Sequence, residues 1–213
     1  MSQQQSILSN TQLLRMTAAF SRFIWGLPVM LLLFAETMRI PVAPIPSYVV
    51  GVTLVFWGVA LLLGVRPVNP RMDRKIELAV LLSLLQLYFV PFLYWWSQHP
   101  ESYFYSVNIL LMALSTAALL ILLNQLAAEF AELCSDKFFK VEAMLCAWIA
   151  MGLLIILLLA LMIYLGVHFF QTGARYLPRM QLYPWMLAIL VMPFTLTLAS
   201  MWKCRKKCLE LLD

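Results

Sequence analysis

The chain has 213 residues, of which 63% are hydrophobic and 12% charged, and its formal net charge is +5. A water-soluble domain is about 45–50% apolar, so this chain has too little polar surface to cover a soluble fold. Its length suits one compact membrane domain. We therefore expect a single transmembrane domain over residues 1–213, with no soluble module beside it.

Six apolar stretches predict transmembrane helices, because a helix needs about 20 mostly apolar residues to cross a bilayer. They cover residues 19–38, 48–65, 78–96, 104–123, 144–167 and 183–202. The first connection contains Pro41, Pro44 and Pro46 and should be rigid. The expected fold class is all-α, a polytopic integral membrane helical bundle with about six transmembrane helices.

The segments outside the spans carry the polar residues. Residues 1–18 predict an interfacial lead-in to the first span; a cleaved signal peptide is the alternative, but the apolar run ends without a small-residue cleavage pattern. Residues 124–141 mix charged with apolar side chains, which predicts that span four continues as an amphipathic cytoplasmic helix, a candidate docking surface. Residues 203–213 form a basic cytoplasmic tail.

The basic residues are distributed unevenly between the two sides of the predicted bundle. One side has only Arg39, Arg175 and Arg179. Because short loops rich in Lys and Arg stay in the cytoplasm, this asymmetry predicts that both termini are cytoplasmic (N-in/C-in), and the short loops favour a bacterial inner membrane. The other twelve basic residues lie on the predicted cytoplasmic side: Arg15, Arg22, Arg66, Arg71, Arg74, Lys75, Lys137, Lys140, Lys203, Arg205, Lys206 and Lys207.

This placement of charge also bears on partners. Basic residues between apolar runs are typical of contact with membrane lipids. The sequence has no basic run interleaved with aromatic side chains on a soluble element that could follow a phosphate backbone. We therefore expect lipids as partners and no nucleic acid.

Neutral polar residues inside the spans are the most informative candidates for a site. Ser83 and Gln86 share one face of span three, and Asn108 and Ser115 share one face of span four. Gln86 and Ser115 both lie near mid-span, which allows a hydrogen bond between the two helices. Such a bond can hold the two helices together and stabilise their association by about 0.5 to 2 kcal/mol. A site for a polar substrate or a quinone is the alternative interpretation.

Ionisable residues are nearly absent from the predicted spans. Glu36 lies near the outer end of span one, three residues before Arg39, so the two side chains can pair on one helix face at the membrane interface. A proton or substrate site at Glu36 is the alternative, because a carboxylate inside a membrane is costly and usually functional.

The four cysteines are predicted at or near the cytoplasmic face, where stable disulfides are rare: Cys134, Cys146, Cys204 and Cys208. A helical tail would place Cys204 and Cys208 on one face among basic residues, which predicts lowered thiol pKa values. Lipid attachment or inert thiols are favoured over a zinc or iron–sulfur site, because Cys146 lies inside a span.

Motifs for chemistry are missing from the sequence. His99 and His168 lie at the outer ends of spans, which favours interfacial imidazoles over a metal or haem site. There is no G-x-S-x-G, H-E-x-x-H or phosphate-binding glycine-rich loop. We expect no cofactor, no metal and no enzymatic activity. Close helix contacts are predicted where small residues are spaced by four: Ala60 with Gly64, Ala113 with Ala117, and Ala143 with Ala147.

Two functions are favoured after these observations, ahead of a third, a membrane enzyme. The first is a non-catalytic accessory, assembly or scaffold component of a membrane complex, which would bind a membrane-protein partner or a second copy of itself. The alternative is a small permease or channel-like transporter for a neutral or amphiphilic solute. The two halves of the chain share no motif that can be aligned by eye, whereas many transporters contain inverted repeats.

Overall fold

Six helices and one short hairpin make up the fold of the described residues. The computed structural model describes residues 8–31, 38–40, 43–45, 47–66, 68–99, 102–170 and 184–212. The elements in chain order are α1 (Asn10–Leu31), β1 (Met38–Ile40), β2 (Ala43–Ile45), α2 (Ser47–Leu63), α3 (Pro70–Gln98), α4 (Tyr103–Leu133), α5 (Lys137–Phe170) and α6 (Pro184–Glu210).

Three of these helices contain a described stretch long and apolar enough to cross a membrane, which indicates a membrane-embedded protein. The stretches are Pro70–Trp96 in α3, Tyr103–Leu133 in α4 and Lys137–Ala160 in α5. Helix α2 contributes a shorter apolar stretch, Tyr48–Leu63. At 1.5 Å per residue the 17 residues of α2 measure about 26 Å, slightly less than the thickness of a bilayer core.

The first predicted span differs from the structure at both of its ends. Helix α1 begins at Asn10, so residues 10–18 of the predicted lead-in are helical, and Leu13 and Met16 are buried in the core. Met38, the predicted last residue of the span, instead begins β1 and pairs with Ile45 in an antiparallel hairpin. The prolines after this point explain the change, because proline interrupts the hydrogen bonds of a helix.

The predicted continuous helix over residues 124–141 is two helices. Helix α4 extends to Leu133, where the Cys134 N–H donates to the Phe130 carbonyl over 3.0 Å. Ser135 then adopts a left-handed backbone with φ of 56°. The Asp136 carboxylate accepts a hydrogen bond from the Phe139 N–H and caps α5. A turn of three residues therefore makes α4 and α5 antiparallel neighbours.

The helices α1, α2, α3, α4 and α6 form a closed ring, in which each packs against the next and α6 returns to α1. Helix α5 lies outside this ring and packs on α4 and α6. Large apolar side chains fill the interior. The ring of Phe20 lies 6.3 Å from that of Phe23 and 5.7 Å from that of Phe130, between centroids, and all three side chains are buried. These contacts join α1 directly to α4 across the ring.

Glycines bring the backbones of α1 and α2 into contact. A Cβ atom added at Gly51 would lie 2.5 Å from the Met30 nitrogen and 2.9 Å from the Gly26 carbonyl oxygen. A Cβ atom at Gly58 would meet the ring of Phe23 at 2.7 Å. These glycines follow no four-residue spacing with the small residues predicted above to mark close contacts. Among those small residues, Ala117, Ala143 and Ala147 are buried.

Charged side chains gather where the N-termini of α1, α3 and α5 meet the C-termini of α2, α4 and α6. At this charged end, the Arg15 guanidinium donates to the Gly64 carbonyl and so ties the start of α1 to the end of α2. Exposed ion pairs stabilise a fold by only about 0–1 kcal/mol each. Ion pairs between helices or their connections in the described residues include Arg66–Asp73, Arg66–Glu77, Lys140–Glu132, Lys203–Glu142, Lys207–Asp136 and the part-buried Lys75–Glu129.

Candidate functional site

The candidate site is a buried polar cluster around Gln86. Helix α3 buries one stripe of side chains at alternating spacings of four and three residues, the spacing of a helix face that packs on its neighbours. Gln86 continues this stripe and its side chain is fully buried. The stripe consists of Met72, Ile76, Ala79, Ser83 and Gln86.

Gln86 connects three helices through its side-chain amide. The Tyr48 hydroxyl of α2 donates to the amide oxygen. The amide nitrogen donates to the Ser115 hydroxyl of α4 over 2.7 Å and to the Met112 carbonyl over 3.3 Å. A primary amide has two N–H donors and an oxygen with two lone pairs, and here the nitrogen donates to two protein acceptors and the oxygen accepts one hydrogen bond. The cluster therefore fastens α2, α3 and α4 together.

Two of the four predicted polar residues belong to this cluster, and two lie apart from it. The structure contains the hydrogen bond between Gln86 and Ser115 that their positions in the sequence allow. Ser83 is buried but donates to the Val80 carbonyl of its own helix over 2.9 Å. Asn108 donates to the Phe104 carbonyl of its own helix over 2.8 Å. Neither of these side chains reaches Gln86 in the described hydrogen bonds.

Sequence reasoning missed the contribution of Tyr48. Tyr48 lies 15 residues before the end of α2 and Gln86 lies 16 residues after the start of α3, so two antiparallel helices place them at the same depth. Equal distance from a short connection is the signal that could have identified the pair.

A second polar contact joins α4 to α6. Asn124 and Thr197 are both fully buried, and the Asn124 amide donates to the Thr197 hydroxyl over 2.7 Å and to the Leu120 carbonyl over 2.9 Å. The Thr197 hydroxyl donates to the Pro193 carbonyl over 2.7 Å. The Asn124 oxygen has no hydrogen-bond partner in the described part of the chain. The sequence predicts Asn124 at the start of a cytoplasmic helix, whereas in the structure it is buried inside the bundle.

The thiols of the α6 tail are buried, and the prediction of lowered pKa values is wrong. Cys204 and Cys208 lie on one face of α6 as expected, but that face packs into the core. Burial raises the pKa of Cys208 from its ordinary value of 9.0 to about 12. Burial likewise raises the pKa of Cys134 to about 11, against the opposing charge of Lys207. Desolvation of the thiolate outweighs the nearby basic residues, so these thiols stay neutral.

The remaining candidates are only partly described. Glu36 lies outside the described residues and Arg39 lies in β1, so their ion pair stays a prediction. His99 follows the last residue of α3, and His168 lies in the last turn of α5. Among the side chains that the structure describes, no group of three or more His, Cys, Asp or Glu residues could hold a metal ion.

Comparison of the chain with protein-family models, with curated proteins and with solved structures gives no match.

Proposed function

We propose that the chain is a non-catalytic accessory, assembly or scaffold component of a membrane complex, and that α5 is the helix that binds the partner. The observation that carries this proposal is the exposure of α5. Six large apolar side chains within nine residues of α5 are 45–67% exposed: Ile155, Ile156, Leu158, Leu159, Met162 and Ile163.

The exposed positions cover much of the circumference of α5. At about 100° per residue the six side chains occupy an arc of about 160°, and the exposed Ala160 extends it to about 200°. Trp148, which is 67% exposed, carries the apolar surface toward the start of the helix. Helix α5 lies outside the closed ring, so this surface is available to a second membrane helix packed against it.

The interior of the bundle supports a structural role for the polar cluster. Apolar side chains fill the space within the ring, namely Phe20, Phe23 and Phe130. The Gln86 amide makes its described hydrogen bonds to partners within the protein. A solute path lined by Gln86 would leave part of this amide for water or substrate. The packing is the kind that fixes helices in one arrangement, as a scaffold requires.

The proposal includes six spans with the charged end in the cytoplasm of a bacterial inner membrane. The support is that the start of α1 and the end of α6 lie at the same end of the bundle, together with the basic residues. Arg22 lies deeper in α1, and its guanidinium reaches back to the Ala18 carbonyl and stacks over the Trp57 ring at 4.8 Å. A side chain that turns back toward the charged end is typical of snorkelling.

Site-specific photocrosslinking in native membranes tests the role of α5. A photoreactive residue at Ile163, which is 66% exposed, should give one discrete protein adduct. The same residue at Leu81 of α3, which is 63% exposed, is the matched control and should crosslink to lipid alone. An adduct of twice the chain mass of 24.5 kDa would make the partner a second copy. Lipid adducts alone at both positions would contradict the proposal.

A further inference from the structure

A groove at the charged end is a candidate binding site that lies apart from the polar cluster. It has a volume of about 300 Å³, and its floor is one face of α4 that includes Glu129 and Glu132. The first turns of α3 contribute Arg71 and Lys75 to one wall, and the start of α5 contributes Lys140 to the other. Three cations from two helices therefore face one space.

The charges in the groove do not cancel. The Lys75 ammonium lies 2.6 Å from a Glu129 oxygen, and the Lys140 ammonium lies 2.8 Å from a Glu132 oxygen. Arg71 makes no ion pair within the described residues, so three cations and two carboxylates leave one net positive charge. A protonated lysine has three donors, and each lysine uses one of them on its carboxylate. The groove thus retains N–H donors from all three cations.

We propose that this groove binds the phosphate of an anionic glycerophospholipid, with Arg71 as the principal contact. A phosphodiester carries one negative charge, which matches the net charge of the groove. The planar guanidinium can donate hydrogen bonds to two phosphate oxygens at once, and the ammonium groups of Lys75 and Lys140 supply further donors. A zwitterionic headgroup carries no net charge and would leave the positive charge of the groove unbalanced, so an anionic headgroup with neutral hydroxyl groups fits better.

The surfaces next to the groove favour a lipid over free phosphate. Met144 of α5 lines the groove and is 39% exposed, and Leu78 of α3 is 51% exposed. Each lies about one helical turn beyond a lysine of the groove, Met144 beyond Lys140 and Leu78 beyond Lys75. Acyl chains of a lipid whose headgroup occupies the groove would cover them. Inorganic phosphate would gain nothing from this apolar surface.

Binding of defined lipids to the purified full-length protein in detergent tests the inference. Native mass spectrometry should show one tightly bound phosphatidylglycerol, with phosphatidylethanolamine and phosphatidylcholine bound at least about tenfold more weakly. Arg71→Gln should weaken phosphatidylglycerol binding by about tenfold or more. Arg74→Gln removes an exposed charge from the same helix outside the groove lining and should change binding less than about twofold.

Three results would overturn the assignment. The first is equal weakening by Arg71→Gln and Arg74→Gln, which would mean diffuse attraction to basic residues. The second is equal affinity for anionic and zwitterionic lipids. The third is displacement of the lipid by millimolar inorganic phosphate, which would make the groove a phosphate site without a lipid. Arg71→Lys keeps the positive charge but lacks the planar guanidinium, so it should bind phosphatidylglycerol with intermediate affinity. Circular dichroism should show that each variant retains its helices.

Discussion

Gln86→Leu should lower the free energy of unfolding by about 2–3 kcal/mol. The change removes three hydrogen bonds, and hydrogen bonds between membrane helices contribute about 0.6 kcal/mol each on average. It also leaves the Tyr48 hydroxyl buried without its acceptor, which adds a desolvation cost of about 1 kcal/mol. Unfolding in mixed detergent micelles, followed by circular dichroism, measures the difference from the unmodified protein.

Two comparison variants separate the cluster from a general effect of removing a polar group. Asn108→Leu removes an amide that donates only within its own helix in the described contacts, and it should change the stability by less than about 0.5 kcal/mol. Adding Tyr48→Phe to Gln86→Leu should restore part of the lost stability, because it removes the buried Tyr48 hydroxyl that has lost the Gln86 oxygen as its acceptor. Equal stability of Gln86→Leu and the unmodified protein would contradict the role of the cluster.

Gly51→Ala should destabilise the contact between α1 and α2 by about 1–3 kcal/mol, the range typical of overpacking in a tight interface. The added Cβ atom would meet the Met30 nitrogen at 2.5 Å, and a backbone atom cannot move aside by changing a rotamer. The two helices must separate locally to accept it. The same unfolding assay measures the loss, and crosslinking between engineered cysteines across α1 and α2 should become less efficient.

Gly152→Ala is the matched control for this substitution. Beyond its chain neighbours and the backbone of its own helix, a Cβ atom at Gly152 in α5 would meet nothing within 4 Å, so no clash arises. Alanine favours a helix over glycine by up to about 1 kcal/mol, so the stability should stay the same or rise. If both glycine substitutions destabilised the protein equally, helix propensity rather than close packing would govern the effect at Gly51.

Features that depend on one helix could be predicted from the sequence, whereas features that depend on helix register could not. Gln86 and Ser115 were predicted together because each lies near the middle of its own span. The partnership of Asn124 with Thr197 requires knowing that α4 extends past residue 123 and that α6 packs beside it. A contact between residues 73 positions apart leaves no periodic signal in either segment.

Burial explains why the prediction for the tail cysteines failed. Arg205, Lys206 and Lys207 are neighbours of the thiols along the chain, and this proximity suggested a lowered pKa. The structure turns Cys208 toward the core and leaves Lys206 exposed. The environment of each tail cysteine depends on which face of α6 packs into the core. The composition of residues 203–213 does not specify that face. The turn at Ser135 likewise depends on the cap that Asp136 provides.

The orientation of the bundle decides whether the groove faces the cytoplasmic leaflet and on which side the charged end meets other proteins. Labelling of single cysteines in intact cells with a membrane-impermeant maleimide measures it. Lys206→Cys at the charged end has a side chain that is 73% exposed, and it should react only after permeabilisation because the proposed orientation puts this end in the cytoplasm. Ser102→Cys, between α3 and α4 at the opposite end, should react without permeabilisation. Labelling of Lys206→Cys in intact cells would contradict the account.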